Sequence, residues 1–70
     1  MDKVLEETMY EETKSGISMI GGDKVEIIGE RIVEFEDGTI VEQYIYNIVG
    51  YTPKNGKPFV SLKANIVGVK

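Results

Sequence analysis

Between Lys24 and Glu36 the chain alternates, with Val25, Ile27, Arg31, Val33 and Phe35 on one side and Glu26, Ile28, Glu30, Ile32, Glu34 and Glu36 on the other. A period of two marks a half-buried strand, and Gly29 midway leaves room for a bend or a bulge. The spacing predicts one core face and one acidic face. Asp37-Gly38 follows and leads into Thr39-Ile40-Val41, and an Asp-Gly pair between β-branched runs predicts a tight hairpin. The returning strand is expected from Thr39 to about Tyr51, rich in Ile, Val and Tyr and long enough to curl around a small core. Thr52 to Pro58 contains both prolines and an Asn-Gly pair, which predicts a second hairpin loop. From Phe59 to about Val67 the alternation is the cleanest in the chain. Val60, Leu62, Ala64 and Ile66 oppose Ser61, Lys63 and Asn65, which predicts one continuous final strand.

The N-terminal part fits two elements. Asp2 can cap a helix that Gly16 would stop, with Val4, Leu5, Thr8 and Met9 as a thin apolar stripe. Thr8, Met9, Tyr10 and Thr13 suit a strand equally well. A helix is preferred for residues 3–8, and 9–14 stay open between the two. Ile17-Ser18-Met19-Ile20 then predicts a short strand closed by Gly21-Gly22-Asp23. The expected fold is mainly β: a small antiparallel meander of four or five strands, forming an SH3-like barrel or an open sheet, with a short N-terminal helix. Residues 1–70 are read as a single small β domain in which 1–15 are the unsettled segment. An exposed last strand with little but Lys63 and Lys70 to blunt it makes a homo-oligomer one of the expected states.

Composition narrows the chemistry. A chain of 70 residues buries only about 60% of its unfolded surface, and with no Cys and no His it has neither disulfides nor the usual zinc ligands to reinforce so small a core. No apolar run approaches the roughly 20 residues of a membrane-spanning helix. Met1-Asp2-Lys3 leads into a short Val4-Leu5 pair and then Glu6-Glu7, which is no signal peptide, and the expected location is the cytoplasm. Residues 1–42 hold all twelve acidic side chains against Lys3, Lys14, Lys24 and Arg31, a charge of −8, while residues 43–70 hold four lysines and no acid, a charge of +4.

Without His, Cys or Trp the nucleophile candidates are hydroxyls and lysines. Ser61 and Lys63, two apart on one strand face, are the nearest to a dyad, but a solvated polar face explains them better. Glu34, Glu36 and Asp37 form a carboxylate group that lacks the loop spacing of a calcium site and suits a solubilising outer face. Gly50 to Pro58 ends in Gly-Lys-Pro, yet the glycine spacing, the proline and the following strand depart from a phosphate loop. No catalytic residue, metal ligand or cofactor is assigned.

The expected function is a non-enzymatic protein-binding module, such as a small regulator or a phage-type inhibitor. It would dock through an acidic face bearing Glu30, Glu34 and Glu36 together with Tyr44 and Tyr46. The alternative is a homo-oligomer that binds a small anionic ligand, for example a nucleotide, through Tyr51, Lys54, Lys57 and Lys63. A nucleic-acid-binding small barrel using the same basic end is a further alternative, which the overall acidity disfavours. Opposite charges on neighbouring strands also predict that Glu30, Glu34 or Glu42 neutralises Lys57 or Lys63.

Overall fold

The computed structural model describes residues 2–70 as five antiparallel strands nearly closed into a barrel. These are β1 (Lys3–Ser18), β2 (Lys24–Glu34), β3 (Ile40–Ile48), β4 (Phe59–Leu62) and β5 (Ile66–Val67), with a 3-10 turn at Lys63–Asn65 between the last two. The sheet order is β4-β3-β2-β1-β5. This is the SH3-like form of the expected meander.

The turns fall where glycine permits them. Gly22 and Gly38 have left-handed backbones, and the β2–β3 loop is closed by the Phe35 N–H donating to the Thr39 carbonyl at 2.8 Å. Asp37 Oδ1 accepts from the Thr39 N–H at 2.9 Å and fixes the loop from inside. This contact holds the Asp37 carboxyl below its usual range. The loop before β4 is held by Gly56 N–H to the Pro53 carbonyl and by Lys57 N–H to Asn55 Oδ1. It is a turn leading into a strand, with no helix N-terminus to receive a phosphate.

Two expectations are corrected. No helix forms at 3–8, because β1 is a strand along its whole length and pairs with β2 from Lys3↔Glu34 to Ile17↔Lys24. The stripe of Val4, Leu5, Thr8 and Met9 is too narrow to anchor a helix, whereas β2 pairs with Val4, Thr8 and Met9 in a ladder interrupted at Leu5. The final strand is also not continuous. β4 pairs with β3 while β5 pairs with β1, and these two strands lie on opposite sides of β2. No straight strand reaches both, so the 3-10 turn redirects the chain across the barrel and breaks the phase of the alternation. Ile66 is buried as a result, whereas Val60 and Leu62 stay exposed.

The barrel core consists of Val25, Ile27, Tyr46 and Ile66, with Tyr10, Tyr44, Ile48, Phe59 and Val69 packed around them. Full burial of a side chain such as Val25 or Ile27 contributes about 1.5–3 kcal/mol. Gly16 faces this core where a Cβ would stand 2.8 Å from Ile66 Cγ2, so the β1–β5 contact depends on a missing side chain.

Candidate functional site

Three departures from regular strand geometry bring one set of polar side chains together. The first is a bulge in β2. Its register with β3 runs Ile27↔Tyr46, Gly29↔Ile45, Glu30↔Tyr44, leaving Ile28 as the extra residue. Tyr44 and Tyr46 share a face, as do cross-strand partners, so Glu30 lies on the core side with Ile27. A one-residue slip inverts every side chain beyond it. Past Gly29 the phase of β2 is therefore inverted: Glu30 shares the face of Ile27, whereas Val33 lies on the opposite face and is buried there all the same.

The second departure is in β1, whose ladder to β2 jumps from Met9↔Gly29 to Lys14↔Ile27. Residues 10–13 leave the ladder, and the Tyr10 ring packs against the core. The third is the 3-10 turn, which places Lys63 at its first position. Tyr10 OH donates to Glu30 Oε1 at 3.0 Å, and Lys63 Nζ donates to Glu30 Oε2. The same ammonium lies 3.7 Å from Glu42 Oε1 and 5.2 Å from the centre of the Tyr44 ring, and Lys14 Nζ lies 4.8 Å from that of Tyr10.

The electrostatics of the cluster are those of fixed charges. The Lys63 hydrogen bond, then that of Tyr10, lowers the Glu30 carboxyl below its usual range. Glu30 in turn raises the Lys63 ammonium. Burial, reinforced by the hydrogen bond to Glu30, pushes the Tyr10 hydroxyl up to about 12. Near neutral pH the carboxylate stays charged, the ammonium stays charged and the phenol stays neutral. None of the three is poised to exchange a proton at neutral pH, as a general acid or base must. Lys63 is committed to Glu30 and the Ser61 hydroxyl donates to the Leu62 carbonyl at 3.4 Å, so the pair is not joined as a dyad.

The other sequence-derived residues are dispersed. Tyr46 is buried and stacks on Phe59 with ring centres 5.8 Å apart, so it serves the core and is not an exposed docking side chain. Tyr44 is half-buried beneath Lys63. Glu30 is half-buried and ion-paired, Glu34 pairs across the ladders with Lys3 and Ile40, and Glu36 is exposed at the β2–β3 loop. Of the alternative set, Tyr51 is exposed, tilts against Phe59 and lines a groove of about 500 Å³ with Asp23, Ile48 and Val49. Lys54 and Lys57 stand exposed on the preceding loop, and Lys63 belongs to the Glu30 cluster. Among the described residues no group of three or more acidic side chains is placed to hold a metal ion. No helix among them is long and apolar enough to cross a membrane.

Sequence reasoning missed Tyr10 and Lys14, which fell in the unsettled segment. It also missed the unpaired edge of β1. The ladder between β1 and β5 covers only Ile17 and Ser18, and a backbone exchange between Ser15 and Lys70 extends it. Residues 3–9 thus have β2 as their sole ladder neighbour among the described residues, and residues 10–13 stand outside both ladders. Their exposed side chains include Glu6, Glu7, Glu11 and Glu12 beside Val4, Leu5 and Met9. No family model, curated protein or solved structure matches the chain.

Proposed function

We propose that this chain is a protein-binding module and not an enzyme, and that its docking element is the N-terminal half of β1. The observation that carries this reading is the unpaired backbone edge at residues 3–13, which bears four glutamates. An open edge presents unused N–H and C=O groups to an incoming extended segment, and main-chain hydrogen bonds supply affinity while side chains select the partner. The glutamates favour a segment rich in Lys and Arg, and a charge-matched encounter also raises the association rate. The acidic surface inferred from the sequence is thereby moved from β2 to β1.

Charge reversal at Glu11 and Glu12 tests the reading, because both lie outside the β1–β2 ladder and can change without breaking it. The immobilised native chain is expected to retain a specific protein from a lysate of its source cells and to release it as salt screens the contact. The Glu11→Lys, Glu12→Lys chain, with an unchanged circular dichroism spectrum, is expected to lose that protein. Retention of the same protein by both chains would overturn the assignment.

A further inference from the structure

The bulge that turns Glu30 inward has a second effect, since it places apolar residues on the side of the sheet opposite the barrel core. Gly29, Arg31 and Val33 pair with Ile45, Gln43 and Val41 of β3, on the side opposite Tyr44 and Tyr46. β4 continues this face with Val60 and Leu62, and β1 with Val4 and Met9. A sheet with one face on a core normally keeps its other face polar. Here Val4, Met9, Val60 and Leu62, on the two flanking strands, are 46, 54, 40 and 40% exposed, while Gly29, Val33, Gln43 and Ile45 between them are buried.

Size points the same way. The chain exposes 5021 Å², whereas a compact monomer of 7.8 kDa exposes about 4,400 Å². Its radius of gyration is 12.2 Å against about 11 Å for a compact domain of this length. Summed over the whole chain the excess is about 600 Å², of the order of the roughly 800 Å² that each partner buries in a standard interface.

Charge identifies the occupant. The charged positions on this side of the ladders are Glu7, Lys24, Glu26 and Arg31, with Arg31 Nε donating to Gln43 Oε1 at 2.7 Å, so the face is neutral. A neutral apolar face suits its own copy, whereas pairing two β1 edges antiparallel would set glutamate against glutamate. We infer that a second copy of this chain packs on the exposed Val4, Met9, Val60 and Leu62 of this face in a two-fold dimer. The dimer also supplies the apolar burial that a cysteine-free chain of this length lacks. Val4 and Met9 also belong to the proposed docking segment, but the dimer does not rest on that reading, because it concerns the face of the sheet and is read from mass, not from capture of another protein.

Sedimentation equilibrium of the native chain over a dilution series is the test, with the expected limiting mass twice 7.8 kDa. Val60→Lys with Leu62→Lys, on an exposed edge strand, should weaken the dimer about a hundredfold while keeping the native circular dichroism spectrum. Met9→Lys approaches the face from β1 and should weaken it in the same direction, should the first variant fail to fold. Ile20→Lys, in the β1–β2 turn and outside this face, should leave the mass unchanged. A native chain that stays at the single-chain mass, or folded Val60/Leu62 and Met9 variants that keep the native mass, would overturn the inference. So would dissociation by Ile20→Lys alone.

Discussion

Replacing Gly29 with alanine tests how closely β1 crosses β2 beside the bulge. Gly29 has no left-handed backbone, so alanine is allowed there by its own dihedral angles. With open space around it, Gly→Ala would stabilise the fold by about 0.4–1 kcal/mol, because the unfolded chain loses freedom. The space is not open. An added Cβ would stand 2.6 Å from the Thr8 carbonyl oxygen and 2.9 Å from Met9 Sδ. The sulfur can swing away, but the oxygen is backbone in β1, whose next residue, Met9, pairs with Gly29 itself. Relieving that contact requires the two central strands to part by several tenths of an ångström, and such overpacking costs about 1–3 kcal/mol.

The net expectation is a loss of about 1–2 kcal/mol from a total of roughly 4–10 kcal/mol for a chain of this size. In thermal unfolding followed by circular dichroism this lowers Tm by about 4–16 °C. The sign is the decisive quantity. A Gly29→Ala chain that melts at or above the native temperature would mean that β1 does not cross β2 this closely, and the Met9↔Gly29 pairing would fall with it.

Two further expectations concern the polar cluster. Tyr10 should ionise near pH 12, so a spectrophotometric titration of the folded chain should show a late phenolate phase that Tyr10→Phe removes. Because its folded pKa is raised, Tyr10 contributes stability that is full below pH 10 and is lost as pH rises toward 12. Glu30→Gln should cost at most about 1 kcal/mol by urea unfolding at pH 7, since a carboxylate with 35% of its side chain exposed is well screened. The Glu30 pKa is lowered on folding, so its contribution is complete above the usual carboxylate range and fades as pH falls through the folded value. The difference between native and Glu30→Gln stability should therefore shrink on acidification, and a difference that grows would contradict the ion pair with Lys63.

Much of the fold is legible in local chemistry, because turns are short-range objects. Asp37-Gly38, Gly21-Gly22 and Asn55-Gly56 each mark a turn, and the strands between them follow from Val, Ile and Tyr at alternate positions. The pairing of Lys63 with Glu30 and Glu42 was also accessible, since acidic and basic strands must neutralise each other somewhere. Phase was not accessible. Alternation identifies a strand but does not show where a single extra residue inverts it, and Ile28 is as apolar as the core residues beside it. The stretch around Tyr10 was ambiguous for a related reason: its ladder is supplied by β2, a partner that local propensity does not contain.

The three places where local pattern failed are the bulge at Ile28, the ladder break at residues 10–13 and the 3-10 turn at Lys63–Asn65, and these deliver Glu30, Tyr10 and Lys63 to one point. Regular strands alone would leave the three apart. The carboxylate of β2 thereby holds both the wandering segment of β1 and the turn that carries the chain from β4 to β5. The cluster sits where the barrel closes, and that accounts for a charged group on the core side of the sheet: one glutamate accepting from a phenol and an ammonium satisfies donors from two elements at once. Local rules that fail together at one place in space mark a constraint imposed by the whole fold. In this chain that constraint is closure, and the apolar second face of the sheet is its geometric consequence, because the same extra residue that turns Glu30 inward places Val33 on the opposite face.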